Sequence, residues 1–181
     1  MEKNYIIAGF GGQGVLFAGK VLANAFMIAG KNVTWYPCYG AEMRGGTVNC
    51  EIVVSDDEVS SVHKQSADCI IVLNQLSFDR FITKVKPGGI ILCNSSLVEE
   101  TQPRNDIKYI YTPMTSIASN TGNNKLANMV ALGVLSGTEQ QLNEKLVEKA
   151  IDLVLPESRK HLASANIKAF LAGVDNCMLK C

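Results

Sequence analysis

Short apolar runs recur along this chain with helix-length segments between them, and that alternation limits it to few architectures. Tyr5–Ala8, Asn32–Tyr36, Cys69–Leu73, Ile90–Cys93 and Tyr109–Tyr111 read as strands. Cys69–Leu73 and Ile90–Cys93 are apolar throughout, the pattern of strands covered on both faces. Val15–Ala29 reads as a helix closed by Gly30, and Leu76–Val85 as a crossover ended by Pro87-Gly88-Gly89. Thr47–Ser55 alternates and leads into Asp56-Asp57, which reads as a hairpin turn. The last third is helical. One helix over Asn123–Leu135 ends at Gly137. A second is opened by a capping box of Thr138 and Gln141 and stopped by Pro156, and a third over Ser164–Leu171 ends at Gly173. The fold class expected is α/β: a three-layer α/β/α arrangement with a mostly parallel sheet, Rossmann-like, in one domain over residues 1–181.

Composition excludes some partners. Seventeen basic residues balance seventeen acidic ones, so no net charge favours nucleic acid or an anionic membrane. The 19% of charged residues is below the usual quarter, which fits either a partner-covered surface or a well-filled core. No stretch has the pattern of a signal peptide or a membrane span, and the expected location is cytoplasmic. The six cysteines, Cys38, Cys50, Cys69, Cys93, Cys177 and Cys181, form no C-x-x-C pair. They read as reduced, non-ligating thiols, with no metal site.

The strongest local signal is Gly9-Phe10-Gly11-Gly12-Gln13-Gly14, a G-x-G-x-x-G spacing between a strand and a helix. Such a loop can turn backbone N–H groups toward a phosphate. A dinucleotide site also needs a carboxylate at the end of the second strand, and Tyr36-Pro37-Cys38-Tyr39 offers none. The glycines serve equally well for tight packing or for close approach by a partner's backbone. The second signal is Tyr39-Gly40-Ala41-Glu42-Met43-Arg44-Gly45-Gly46. Glu42 and Arg44 there read either as a surface ion pair or as functional groups on a loop. His63 and His161 lie in polar segments and read as solvated. No nucleophile–base pair can be assembled, so no catalytic residue is assigned.

Taken together, GFGGQGVLFAGKVLANAF and VTWYPCYGAEMRGGTVNCEIVVSDDEV resemble the gamma domain of the 2-oxoacid:ferredoxin oxidoreductases. The likeness continues in Asn128-Met129-Val130-Ala131-Leu132-Gly133 and in Asn166-Ile167-Lys168-Ala169-Phe170. One departure is Ser60-Ser61-Val62, where relatives often carry Ser-Pro. The resemblance implies a subunit inactive alone, within a complex that oxidatively decarboxylates a 2-oxoacid to an acyl-CoA. Thiamine diphosphate, Mg and iron–sulfur clusters are then expected on alpha and beta subunits, with a small ferredoxin-like subunit as an optional further component. YGAEMRGG looks more like the 2-oxoglutarate and branched-chain types than the pyruvate type. Gly9, Gly11, Gly12, Gln13 and Gly14, with Tyr39, Gly40, Glu42, Arg44, Gly45 and Gly46, are the candidate ligand or subunit-interface residues, with CoA near that interface. Both loops are expected side by side, each following one of two adjacent parallel strands. Two readings from other classes stay open: a stand-alone nucleotide-binding dehydrogenase, and a non-catalytic scaffold module.

Overall fold

The structure is a computed structural model that describes residues 1–38, 47–59, 61, 63–139 and 142–178. A six-stranded sheet carries the fold: β1 (Glu2–Phe10), β2 (Asn32–Cys38), β3 (Thr47–Ser55), β4 (Ala67–Val72), β5 (Val85–Asn94) and β6 (Lys108–Thr112). Their spatial order is β2-β3-β1-β4-β5-β6. β1, β4, β5 and β6 pair in parallel, whereas β3 runs antiparallel to both β1 and β2. The mostly parallel α/β arrangement expected from the alternation is therefore present. β1 and β2 are not adjacent, however, because β3 lies between them. Chain length explains the direction of the β2–β3 pair. Eight residues separate β2 from β3, too few for the crossover that a parallel pair needs, so the two strands must pair antiparallel.

The helices are α1 (Val15–Ile28), α2 (Gln75–Phe81), α3 (Met114–Asn120), α4 (Ala127–Ser136), α5 (Glu144–Val154) and α6 (Ala163–Met178). One face of the sheet packs against α1, α3, α4, α5 and α6 through Tyr5, Ile7, Leu22, Phe26, Ile71, Leu132, Ile151 and Phe170. The other face packs Ile6, Ala8, Ile70, Val72 and Ile91 against Phe78 and Phe81 of α2 and Ile82 just beyond it. The three layers are thus lopsided, with one outer layer built around a seven-residue helix. No helix among the described residues is long and apolar enough to cross a membrane.

Several local expectations hold. α1 closes at Gly30, with Gly30 N–H on Met27 O and Lys31 N–H on Phe26 O, the paired bonds of a Schellman ending. α5 ends before Pro156 as expected. Others need correction. Asp56-Asp57 makes no hairpin: β3 pairs with β1 and β2, and Asp56 instead accepts from Lys31 Nζ at 2.5 Å and from the Met1 ammonium at 2.6 Å. β5 begins at Val85 and runs through Pro87-Gly88-Gly89, since its parallel pairing with β4 begins at Ala67↔Val85. Asn143 caps α5, its side chain accepting from Leu146 N–H at 3.2 Å. Thr138 instead donates to Leu135 O, and Gln141 lies outside the described residues. α6 does not stop at Gly173 but continues to Met178, because Gly173 is where it presses on α4.

Asp56 gives a prediction about acid stability. Its hydrogen bonds to Lys31 and to the Met1 ammonium hold its carboxyl at about 2, below the ordinary 3.8. The folded state therefore takes up this proton less readily than the unfolded chain. The stabilisation is complete above the ordinary value and disappears as pH falls through about 2. Thermal melting across that window should fall more steeply for the wild type than for Asp56→Asn. Parallel melting curves for the two would contradict the assignment.

Candidate functional site

At the carboxyl edge of the parallel strands, β1 ends at Phe10 and the glycine loop leads into α1. Gly14 stands at the cap of α1 with φ 71° and ψ 22°, and no side chain caps the helix. The first turn of α1 therefore presents its N–H groups without a side-chain acceptor. Gln13 folds back over the loop. Its Oε1 accepts from Phe10 N–H at 2.6 Å and from Asn74 Nδ2 at 2.8 Å, while Nε2 donates to Leu73 O at 3.4 Å. Asn74 Oδ1 caps α2 by accepting from Ser77 N–H at 2.9 Å.

Two further carboxamides complete the edge. Asn94, at the end of β5, is fully buried and donates to Leu73 O at 3.2 Å and to Thr115 Oγ1 at 2.9 Å. Asn128, on α4, is 3% exposed and donates from Nδ2 to Gly14 O at 3.0 Å. Its Oδ1 is buried without a partner. The glycine loop is thus held by Gln13, Asn74 and Asn128, while Asn94 shares the Leu73 carbonyl with Gln13. The sequence reading does not single out these asparagines. Asn74 and Asn94 do carry a usable signal, since each falls right after an apolar strand, where parallel sheets gather functional groups.

Gly9, Gly11, Gly12, Gln13 and Gly14 are thus brought together as expected. Tyr39, Gly40, Glu42, Arg44, Gly45 and Gly46 lie outside the described residues. The residues that bracket them are described: Thr47 pairs opposite Phe10, and Cys38 opposite Asn49. Both therefore lie at the edge where β1 ends. Arg80 of α2 donates to Thr47 Oγ1 there.

His63 is not simply solvated. Its Nδ1 lies 2.8 Å from Oε2 of Glu51, a carboxylate only 5% exposed, and its ring meets Tyr36 edge-on. Glu51 faces the thinly covered side of the sheet, opposite Tyr36 on β2. Burial, and then Glu51, push the Cys38 thiol up, away from the reactive thiolate form. Burial pushes Cys50 and Cys93 up to about 12 and raises Cys69 as well. Among the described residues, no group of three or more His, Cys, Asp or Glu is arranged to hold a metal ion. These residues do not fit an iron–sulfur cluster, which needs several thiolates gathered at one point.

A dinucleotide reading also fails on position. The strand parallel to β1 and next to it is β4, which leads into Leu73-Asn74 and offers no carboxylate there for a ribose.

Known proteins share this arrangement. The ketoisovalerate oxidoreductase subunit VorA of Methanothermobacter marburgensis is 36% identical over 175 residues, which make up 96% of this chain and 36% of VorA. The chain therefore spans about a third of that relative's length. The 2-oxoglutarate synthase subunit KorC of Archaeoglobus fulgidus is 36% identical over 174 residues, covering 96% of this chain and 87% of KorC. The crystal structure of a keto/oxoacid ferredoxin oxidoreductase gamma subunit from Geobacter sulfurreducens superposes with a TM-score of 0.86 at 29% identity, over 99% of this chain and 98% of that one. The 2-oxoglutarate:ferredoxin oxidoreductase of Magnetococcus marinus, solved with 2-oxoglutarate, coenzyme A and succinyl-CoA, shares the fold at a TM-score of 0.88 and 22% identity, over 98% of this chain and 31% of that one. The pyruvate ferredoxin/flavodoxin oxidoreductase profile matches residues 4–176. With that match running almost end to end, the chain belongs to the pyruvate ferredoxin/flavodoxin oxidoreductase family.

Proposed function

We propose that the chain is the gamma-type subunit, a single domain over residues 1–181, of a thiamine diphosphate-dependent 2-oxoacid:ferredoxin oxidoreductase of the cytoplasm. The complex converts a 2-oxoacid and CoA to an acyl-CoA and CO₂ and passes two electrons to ferredoxin. The observation that carries this reading is the likeness to KorC of A. fulgidus over 87% of that protein's length. Alpha and beta subunits hold the thiamine diphosphate, Mg and clusters. That assignment is supported by Cys50, Cys69 and Cys93, which burial keeps protonated on separate strands. The substrate is 2-oxoglutarate or a branched-chain oxoacid, the classes named for KorC and VorA.

In this reading the two glycine-rich segments face a neighbouring subunit, with CoA held near the contact. Arg44 offers a planar fork of donors to an acid of the partner or to an anionic part of CoA. The test is co-expression with the alpha and beta subunits, pull-down, and assay of a panel of oxoacids with CoA and a ferredoxin-level acceptor. The tagged chain should capture a thiamine diphosphate-containing partner, and the complex should prefer 2-oxoglutarate or branched-chain oxoacids. A preference for pyruvate would overturn the substrate class, and capture of no such partner would overturn the subunit reading. Arg44→Ala should leave the isolated chain folded and weaken assembly by about 2 kcal/mol or more if it forms a buried charge pair. Unaltered assembly and activity would remove Arg44 from the interface.

A further inference from the structure

β2 ends the sheet, with β3 on one side and, among the described residues, no strand on the other. An open edge is a template for another strand, and natural edges are blunted by shortness, charge, bulges or cover. β6, at the opposite end, is five residues long and opens on Lys108. β2 is seven residues long, carries no charged residue, and pairs with β3 without a bulge from Asn32↔Ser55 to Cys38↔Asn49.

Pro37 fixes which backbone groups of β2 point outward. It has no N–H, so its nitrogen must face away from the ladder. That orientation alternates along an antiparallel pair. Val33 and Trp35 therefore also turn their N–H and C=O groups outward, while Asn32, Thr34 and Tyr36 bond to β3. Among the described residues, nothing bonds to the outward groups of Val33 and Trp35. Apolar side chains flank this edge. On the α1 face, Lys20 Nζ lies 5.1 Å over the Trp35 ring. Met27, seven residues on and so on the same side of α1, is 56% exposed. On the thinly covered side stands Tyr36, 46% exposed.

We propose that β2 is a homodimer edge: the β2 of a second copy adds antiparallel about a two-fold axis through Thr34, joining two sheets into one. Side chains of like face must meet, so the axis passes through a residue and not between two. About Thr34, every outward N–H finds an outward C=O. Val33 N–H donates to the second copy's Trp35 O, Trp35 N–H donates to its Val33 O, and symmetry repeats both. An axis through Trp35 would set Val33 against Pro37, which has no N–H to return, and would bring the two Lys20 ammonium groups together. About Thr34, Trp35 packs on Val33 and Tyr36 on Asn32. The Thr34 hydroxyl, buried without a partner in the single chain, meets its own copy. A second copy suits this edge because an uncharged strand opposes no like charges when it meets itself. The contact is isologous, so assembly through it closes at two copies. It runs along the side of the sheet, apart from the carboxyl edge that faces other subunits in the proposed function, so either reading can fail without the other.

The test uses the full chain alone, followed by sedimentation and amide hydrogen exchange up to millimolar concentration. A two-copy species should form. The Val33 and Trp35 amides should gain protection as it does, while the Thr34 and Tyr36 amides, bonded to β3, stay protected throughout. Thr34→Lys sets like charges opposite each other at the axis and should weaken the dimer at least about tenfold. A melting curve checks that this variant folds, and if it does not, exchange in the wild type decides. A chain that stays monomeric at millimolar concentration overturns the proposal. So does a dimer in which the Val33 and Trp35 amides exchange freely. Protection of those amides only after alpha and beta subunits are added would give the edge to a different subunit and overturn it as well.

Discussion

Replacing Gly133 by valine should lower the stability of the fold by more than about 4 kcal/mol, placing it among the rare, severe single substitutions. The reason is the crossing of α4 and α6. A Cβ on Gly133 would lie 2.0 Å from Phe170 O, 2.8 Å from Val174 N and 2.9 Å from the Gly173 Cα. A Cβ on Gly173 would lie 2.2 Å from Val130 O in return. All of these are backbone atoms, so no side chain can rotate aside. The two helices must move apart, which loosens Val130, Val134, Ala169 and Phe170, each almost fully buried. Helix propensity acts the other way, since a glycine in a helix interior costs about 1 kcal/mol relative to alanine. Overpacking of a core usually costs about 1–3 kcal/mol, and more where only backbone can yield. Sterics therefore win even for Gly133→Ala. In a chain of this size Gly133→Val should lower Tm by about 8–16 °C. Leu153→Ala, at a side chain 66% exposed, serves as the control and should stay within about 0.5 kcal/mol. A melting point for Gly133→Val within about 2 °C of the wild type would refute the crossing as described.

This crossing marks where the sequence stops being legible. A glycine late in a helical pattern is ambiguous between a helix end and a close contact. Gly173 reads as an end because its partner, Gly133, is remote in the chain and nothing local announces it. The same holds for the sheet. The apolar runs of β1, β4 and β5 reveal themselves because each is covered on both faces, and the Gly30 ending of α1 is a local motif. The link between β2 and β3 is too short for a crossover, which makes that pair antiparallel, but that β3 rather than β2 pairs with β1 is a long-range choice that no local signal announces. The turn residues Asp56-Asp57 are consistent with a hairpin, but Asp56 is committed to Lys31 by long-range pairing. At the site, the glycine run is legible because its spacing is a local property of the backbone. Asn128 is not, because a single asparagine in a helix has no periodicity; Asn74 and Asn94 are marked only by their place at the ends of apolar strands, and only the fold brings the three to one edge. Glu51 and His63 belong to the same class: each is unremarkable in sequence, and β3 and the following segment join them.

Gly14 gives the second large effect and ties stability to the candidate site. With φ at 71° it holds a conformation that costs other residues about 1–2 kcal/mol. Strain is only part of the expected cost of Gly14→Ala. The new Cβ would stand 2.5 Å from Asn128 Nδ2 and 3.0 Å from its Cγ. Asn128 is buried, so its amide must give up the bond to Gly14 O with no water to replace it. A buried amide left unpaired costs about a further 1–3 kcal/mol. The sum, about 2–5 kcal/mol, corresponds to a fall of about 4–20 °C in Tm. Gly12 separates the two causes. It has φ 98°, and a Cβ there would meet nothing within 4 Å, so Gly12→Ala should carry the strain alone. The contact with Asn128 can also be isolated by a double-mutant cycle. Asn128→Ala removes the obstacle, so Gly14→Ala should cost at least about 1 kcal/mol less in that background than in the wild type. Strictly additive costs, or equal melting points for Gly12→Ala and Gly14→Ala, would mean that Asn128 does not hold the loop and that the buried carboxamides do not set its shape.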